Sequence, residues 1–478
     1  MAEAELDEAI LIRDIDRGSH YIRDWSGEAD GNPSFVARPR TVDEVVALVR
    51  HCAANGIAIV PQGGHTGLVE GAAARTERPH AILSLERMNA IREIDALNFS
   101  VVVEAGCVLE ALHEAVSAED LMFPLSLGAK GSCQIGGNVA TNAGGINVLR
   151  YGMMRDLVLG LEVVLPDGRV WNGLKKLRKD NTGYDLKQLF LGSEGTLGIV
   201  TAATLKLYPR PSHVETLFLA VETAEIAIRL FAAARRQLAD LLSAFELISD
   251  KSVAMAMTMP DIANPLDMPA PHYVLLEAAS SGPLDLEALV GGFVESAFED
   301  GLILDGVRAS SATQARKIWA IREAVVEAQA RHGTHLRSDV SVPISAVAAF
   351  IDAVEAELAS TAAGGLVLTY GHIGDGNLHF VVVPPDDLLG DARQRMIKAS
   401  EASIFAAVDR FEGSISAEHG IGRRKHDAFA ARVSATQLDL LRTIKSGLDP
   451  ANLMNPGAIL DGSRSHPAPR LEGAGRRR

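Results

Sequence analysis

The chain has 478 residues, 47% of them apolar, enough for a large buried core and, at roughly 150 residues per domain, for two to four domains. Its 46 Lys and Arg against 61 Asp and Glu leave a formal charge of −15, which argues against a nucleic-acid surface but not against a local basic pocket for an acidic substrate. No run approaches the roughly 18 apolar residues of a membrane span.

The acidic residues 1–8 are unlike a secretory signal or a transit peptide. Three widely spaced cysteines, Cys52, Cys107 and Cys133, exclude a disulfide framework. A reducing cytoplasm is the expected setting. Rossmann, P-loop, GxSxG and HExxH patterns are all absent.

Phe35-Val36-Ala37 reads as a short strand. Thr41 and Glu44 form a capping box for a helix whose Val42, Val45, Val46, Val49 and Cys52 share a face, and Asn55-Gly56 ends it. Residues 57–60 form the next strand, followed at once by Pro61-Gln62-Gly63-Gly64-His65-Thr66-Gly67. Further strands are expected at 100–105, 159–165 and 199–207, with Asp167-Gly168 as a turn. Pro209 and Pro211 mark a boundary, which makes 1–211 a first domain.

Beyond it the pattern predicts a helix over 223–242, a strand over 273–278, amphipathic helices over 313–331 and 345–360, and strands over 366–370 and 378–383 around a glycine turn. Residues 255–271, rich in Met and Pro, are expected to be irregular. Residues 212–411 form a second domain, 412–462 a closing segment, and the polar, basic stretch 463–478 a disordered tail.

Three glycine clusters stand out: Gly63-Gly64-His65-Thr66-Gly67, the run from Gly136 through Asn138, Thr141 and Asn142 to Gly144-Gly145, and Gly192-Ser193-Glu194-Gly195-Thr196-Leu197-Gly198. Glycine permits positive φ and close approach of backbone to ligand. Successive N–H groups in such loops make concave nests for a diphosphate. One loop is a turn; three, the first directly after a strand, point to a nucleotide-type cofactor.

The second half carries Gly371-His372-Ile373-Gly374-Asp375-Gly376-Asn377-Leu378-His379 and Ala417-Glu418-His419-Gly420. His372 ends a strand and His379 begins the next, so the glycine turn folds two imidazoles together. With Glu418 as an anionic third ligand they suit a divalent metal in an open, catalytic site: zinc first, manganese or iron as alternatives. His419 need not bind the metal and can accept and return a proton near neutral pH. Arg322 has Ile318 and Val325 at i−4 and i+3, toward the buried side of its helix. Position alone does not separate an anion-binding role from an exposed ion pair.

Segments 61–68, 135–145 and Asp180-Asn181-Thr182-Gly183-Tyr184-Asp185-Leu186 on to Gly198 resemble the FAD domain of the vanillyl-alcohol oxidase type. Nearly the whole chain, from about residue 35 to 460, is similar to the FAD-linked D-2-hydroxy acid dehydrogenases that act on D-lactate, glycolate or D-2-hydroxyglutarate. The resemblance implies an α+β fold: a two-lobed FAD-binding domain, an α+β substrate-binding cap and a C-terminal helical segment that completes both. It implies FAD cradled by Pro61, Gly63, Gly64, His65, Thr66, Gly67, Gly136, Gly137, Asn138, Thr141, Asn142, Gly144 and Gly145, with Gly195, Gly198, Ile199 and Val200 along it. His65 is either a polar neighbour of the flavin or its covalent attachment point.

The same resemblance assigns His372, His379 and Glu418 to the metal, His419 to the base and Arg322 to the substrate carboxylate. Val326, Arg337 and Val381 complete the substrate contacts. It implies oxidation of a D-2-hydroxy acid to the 2-oxo acid, with hydride passing to flavin N5 and electrons then passing to an electron-transfer flavoprotein or a quinone. A homodimer is a possible state. The rivals are an oxygen-reducing oxidase, a non-redox transferase like the ether-lipid synthases, and a flavin-free metal-binding protein.

Three positions depart from the hydroxyglutarate branch, which carries Thr at Val326, Lys at Arg337 and Asn at Val381. Val381, two residues past His379 on a strand, shares its face. Arg337 keeps the charge and changes its shape. A second substrate carboxylate is then less securely held, and a monocarboxylate with an aliphatic or aromatic tail gains ground.

Overall fold

The computed structural model describes residues 6–460 apart from 16–18, 24, 26–30 and 74–77, so the expected tail over 463–478 lies outside the described residues. Helix Val42–Asn55 shows how local chemistry starts the fold. Thr41 Oγ1 accepts the Glu44 N–H at 3.2 Å. Glu44 reaches one residue further back than a capping box requires and accepts from the Arg40 N–H at 2.6 Å. Val45, Leu48, Val49 and Cys52 are buried on one face, and Gly56 at φ +66° stops the helix with its N–H on the Cys52 carbonyl.

Strand Ala58–Gln62 pairs in parallel with His80–Ser84, which pairs in parallel with Phe35–Ala37; Leu11–Ile12 closes this four-stranded sheet. A second, antiparallel sheet runs in the order Ile91–Asp95, Ser100–Glu104, Ile199–Lys206, Val158–Val164, Val170–Gly173. Gly168 at φ +78° makes the expected turn between the last two. All seven residues of Val158–Val164 are buried because both faces are covered. Helices Leu109–Ser117 and Ile135–Ala140 pack against one side. Ala105, Val164 and Ile199 join the core of the first sheet on the other.

The remaining sheet has eight strands: Asp305–Arg308, His213–Val221, His272–Ser280, Leu242–Ser249, Leu366–Gly371, Asn377–Val383 and Leu336–Arg337 in order, with Val340–Ser341 also on Asn377–Val383. Helices Ala224–Leu238, Leu286–Glu299 and Val347–Thr361 bury one face. Asp250–Ala256 and Ala312–Ala330 bury the other.

Register decides what that second face presents. Ile248 pairs with Tyr370, Tyr370 with His379, and Arg337 with Val381. Side chains alternate along a strand, so Glu246, Tyr370, His372, His379, Val381 and Arg337 all stand on the face under helix Ala312–Ala330.

Two expectations change. The helix predicted over 223–242 ends at Leu238, and Leu242–Ser249 is a separate, fully buried strand. Met255 closes a short helix, so only the stretch from Met257 to the strand at His272 is irregular. After helix Gly390–Arg410 the chain returns to the first lobe. There Arg423 donates to Glu70 O at 2.7 Å and to Asn455 Oδ1 at 2.6 Å, and Met454 bridges to Ile59.

Candidate active site

A cavity of about 1010 Å³ separates the two halves. One wall is backbone-rich: Pro61, Gly63, Gly64, His65, Thr66, Gly67, Gly136, Gly137, Asn138, Thr141, Gly144, Gly145, Gly195, Gly198, Ile199 and Val200. The other is side-chain-rich: Arg322, Val326, Arg337, His372, His379, Val381, Glu418 and His419. One expected residue is missing. Asn142 does not line the cavity; at φ +50° its Oδ1 turns away and accepts the Arg155 N–H at 2.9 Å, a turn-holding role.

The glycines divide by function. A Cβ on Gly64 would lie 1.9 Å from Ser132 O, and one on Gly145 (φ +93°) 2.1 Å from Ser126 O, so these let chain segments touch. Gly67 and Gly137 would meet nothing within 4 Å and leave the wall open. On the same wall, His65 Nε2 and Gln134 Oε1 are buried without a protein partner. Open backbone and orphaned polar atoms fit a polar dinucleotide lying against this wall. Burial lowers the His65 pKa, so its ring is neutral, with Nδ1 3.4 Å from Arg23 O.

On the opposite wall, one ligand atom from each of His372, His379 and Glu418 lies within 4.8 Å of the others. Two imidazoles and one carboxylate are a donor set that a divalent metal accepts. Burial lowers the His379 pKa to about 3, leaving a neutral ring. His372 Nε2 is 3.9 Å from Glu418 Oε1, which also accepts the Gly145 N–H at 2.6 Å. The metal-type cluster is thus tied directly to the glycine wall.

Two buried carboxylates stand behind these groups. Glu246 accepts Arg322 Nε at 2.9 Å on Oε2 and hydrogen-bonds His372 Nδ1 on Oε1. Burial works to raise the Glu246 pKa, but His372 and Arg322 outweigh it and hold it down at about 2. Asp339 accepts the N–H groups of Ala417, Glu418 and His419 at 3.1, 2.9 and 2.9 Å, and Asn377 Nδ2 at 2.9 Å. It therefore pins the loop carrying Glu418 and His419 to the sheet. The rings of His419 and His379 lie nearly parallel, 6.1 Å between centroids.

Arg322 is 8% exposed and lies 4.4 Å over the Tyr370 ring, so the reading as an exposed helix arginine is excluded. Arg337 donates Nε to His335 Nε2 at 2.7 Å and lies 5.1 Å over Trp25; among the described residues no carboxylate pairs with it. Val326 is 37% exposed, whereas Val381 is 1% exposed and mostly packed into the core.

Residues 210–459 match the family model for the C-terminal domain of FAD-linked oxidases, and 33–173 match an FAD-binding domain. The D-2-hydroxyglutarate dehydrogenase of Xanthomonas citri is 41% identical over 94% of this chain and 93% of its own length. The mitochondrial D-2-hydroxyglutarate dehydrogenase of Bos taurus is 41% identical over 91% of this chain and 78% of its own. The chain belongs to the FAD-linked D-2-hydroxy acid dehydrogenases. The crystal structure of p-cresol methylhydroxylase superposes with a TM-score of 0.76 at 17% identity, over 96% of this chain and 95% of that one. The fold is thus the vanillyl-alcohol oxidase type, an FAD-binding domain plus a second domain.

This dehydrogenase also uses residues that motif reading missed. Glu246 and Asp339 sit in no motif. Their partners are 76 and 126 residues away for Glu246 and 38 to 80 for Asp339. A buried acid on a strand, at the position opposite His372, is the one signal the sequence offered for Glu246. Reading it required the strand Leu242–Ser249, which begins where the expected helix over 223–242 stops and was not itself expected.

Proposed function

We propose that this dehydrogenase oxidises D-2-hydroxyglutarate to the 2-oxo diacid, with a metal assisting. The observation that carries the reading is the cap wall: two guanidinium groups, Arg322 and Arg337, share it with His372, His379, Glu418 and His419. The relatives' names support the diacid and its D configuration.

The glycine wall would hold FAD, which would supply the acceptor for the C2 hydride and both electrons, and His372, His379 and Glu418 would hold a divalent metal, which would supply a Lewis acid that lowers the pKa of the substrate hydroxyl. Everything else falls to the chain's own side chains. Arg322 has Nε committed to Glu246, so its two terminal nitrogens remain for the C1 carboxylate, in the fork geometry that suits it. That contact fixes which face of C2 is presented. His419 accepts the hydroxyl proton. Arg337, a partly buried cation with no carboxylate partner among the described residues, receives the distal carboxylate.

An electron-transfer flavoprotein or a quinone would serve as the final electron acceptor; peroxide formed under air would instead favour an oxidase. Val326, an apolar side chain on the cavity wall, favours a second reading: a monocarboxylate with an apolar tail. An anaerobic screen of flavin bleaching separates them. The proposal expects D-2-hydroxyglutarate to bleach with a higher kcat/KM than D-lactate or longer D-2-hydroxy monocarboxylates. The reverse order would overturn the diacid, and no bleaching by any 2-hydroxy acid would overturn the reaction class.

A further inference from the structure

The two oxygens of Glu246 bond the side chain of a proposed metal ligand, His372, and the side chain of a proposed substrate ligand, Arg322. It lies mid-strand in Leu242–Ser249, across the ladder from His372, with its side chain 1% exposed. Arg322 reaches it from helix Ala312–Ala330, which covers that face. A carboxylate this deep is costly unless its charge is compensated and its lone pairs are used. Both conditions are met by one residue from each half of the proposed chemistry.

The geometry has consequences at both ends. The His372 ring has two nitrogens, and the contact of Nδ1 with Glu246 leaves Nε2 facing Glu418 at 3.9 Å. A carboxylate that takes one ring N–H fixes the tautomer and turns the other nitrogen toward a metal. At the other oxygen, Nε of Arg322 is used, and the guanidinium plane is set by the Tyr370 ring beneath it at 4.4 Å. Among the described residues no hydrogen bond engages the two remaining nitrogens, and Arg322 lines the cavity. Two N–H donors on two oxygens of one carboxylate also explain why an amide cannot stand in. Gln has one acceptor oxygen, and its NH2 would face the second donor.

We infer that Glu246 is a positioning residue that couples the metal-binding imidazole of His372 to the carboxylate-binding guanidinium of Arg322. The inference rests on the metal and substrate reading given above. It assigns to one buried carboxylate the job of keeping metal and substrate in register, although it touches neither.

The test uses the full-length, FAD-loaded protein and Zn²⁺ in competition with a chromogenic chelator, alongside steady-state kinetics with D-2-hydroxyglutarate. Glu246→Gln is expected to lower Zn²⁺ affinity by about 10–100-fold, the usual cost of losing a histidine's hydrogen-bonding carboxylate. It should also raise KM while FAD content stays at the wild-type level. Glu246→Asp keeps the charge but shortens the reach. It is expected to move both quantities in the same direction by less, and it carries the test if the Gln variant does not fold. Wild-type Zn²⁺ affinity and KM in Glu246→Asp, or in a folded Glu246→Gln, would overturn the inference. A wild-type protein that takes up no Zn²⁺ is a different failure: it removes the metal reading and the His372 half with it, while KM still decides the Arg322 half.

Discussion

The two walls of the cavity are built on opposite principles. The glycine wall recognises with backbone. Its residues come in three short runs, Gly67 and Gly137 leave backbone open to the cavity, and Gly64 and Gly145 are needed where segments pack within van der Waals contact. The cap wall recognises with side chains. Its working groups come from a helix, several strands and a returning loop, and two buried carboxylates hold them in place. A cofactor that stays needs shape; a substrate that is turned over needs charge and a movable proton. The contrast predicts that damage to the first wall removes flavin, whereas damage to the second leaves flavin bound and stops chemistry.

The sharpest way to break that contrast is His419→Ala. The variant should keep full FAD and metal content and slow anaerobic flavin reduction by about 10²–10⁴-fold, the range for a positioned general base. Loss of flavin in this variant would mean that the two walls are not separable. Gly64→Ala attacks the other side. A methyl 1.9 Å from Ser132 O forces the loops apart, at roughly 1–3 kcal/mol or more. The expected outcome is colourless protein that takes up Zn²⁺ as the wild type does, read by absorbance and by metal titration.

Asp339→Ala tests how the returning loop is held. Three backbone N–H groups and Asn377 lose their acceptor inside the protein, which should cost about 3–5 kcal/mol and expose the 414–425 segment to limited proteolysis. A protease pattern identical to wild type would show that the loop is held by other contacts, among them Glu194 on the Ile421 and Gly422 N–H groups. The smallest effect is expected at Arg337→Met. It should raise KM for D-2-hydroxyglutarate by about ten-fold, the usual worth of a hydrogen bond to a charged group, and leave D-lactate nearly unchanged. Parallel changes for both acids would remove Arg337 from the distal-carboxylate role.

The same contrast explains what was legible in the sequence. The glycine wall is written in consecutive residues, so its runs could be recognised as segments; a run does not say which way each side chain turns, and Asn142 turns its Oδ1 to the Arg155 N–H. The helix at Val42–Asn55 was readable because its start and stop signals, Thr41 and Gly56, act on their immediate neighbours. His372 and His379 were readable because a single turn joins them. Arg322 was placed toward the interior by its helical spacing, but its neighbour Glu246 lies on a strand that runs on from a helix with little punctuation between Leu238 and Leu242. Val381 lines the cavity on the face that the strand alternation gave it, and at 1% exposure it is also packed into the core, since the pleat fixes direction while packing decides what remains open.

On the proposed reaction, a C–H bond at C2 of a D-2-hydroxy acid is broken between these two walls. Rapid-mixing measurement of flavin reduction without oxygen, with D-2-hydroxyglutarate carrying protium or deuterium at C2 and with the L enantiomer, tests this step. Bleaching by the D enantiomer, slower with deuterium at C2, and none by the L enantiomer is the expected result. A flavin that stays oxidised with the D acid, or that responds equally to both enantiomers, would contradict it.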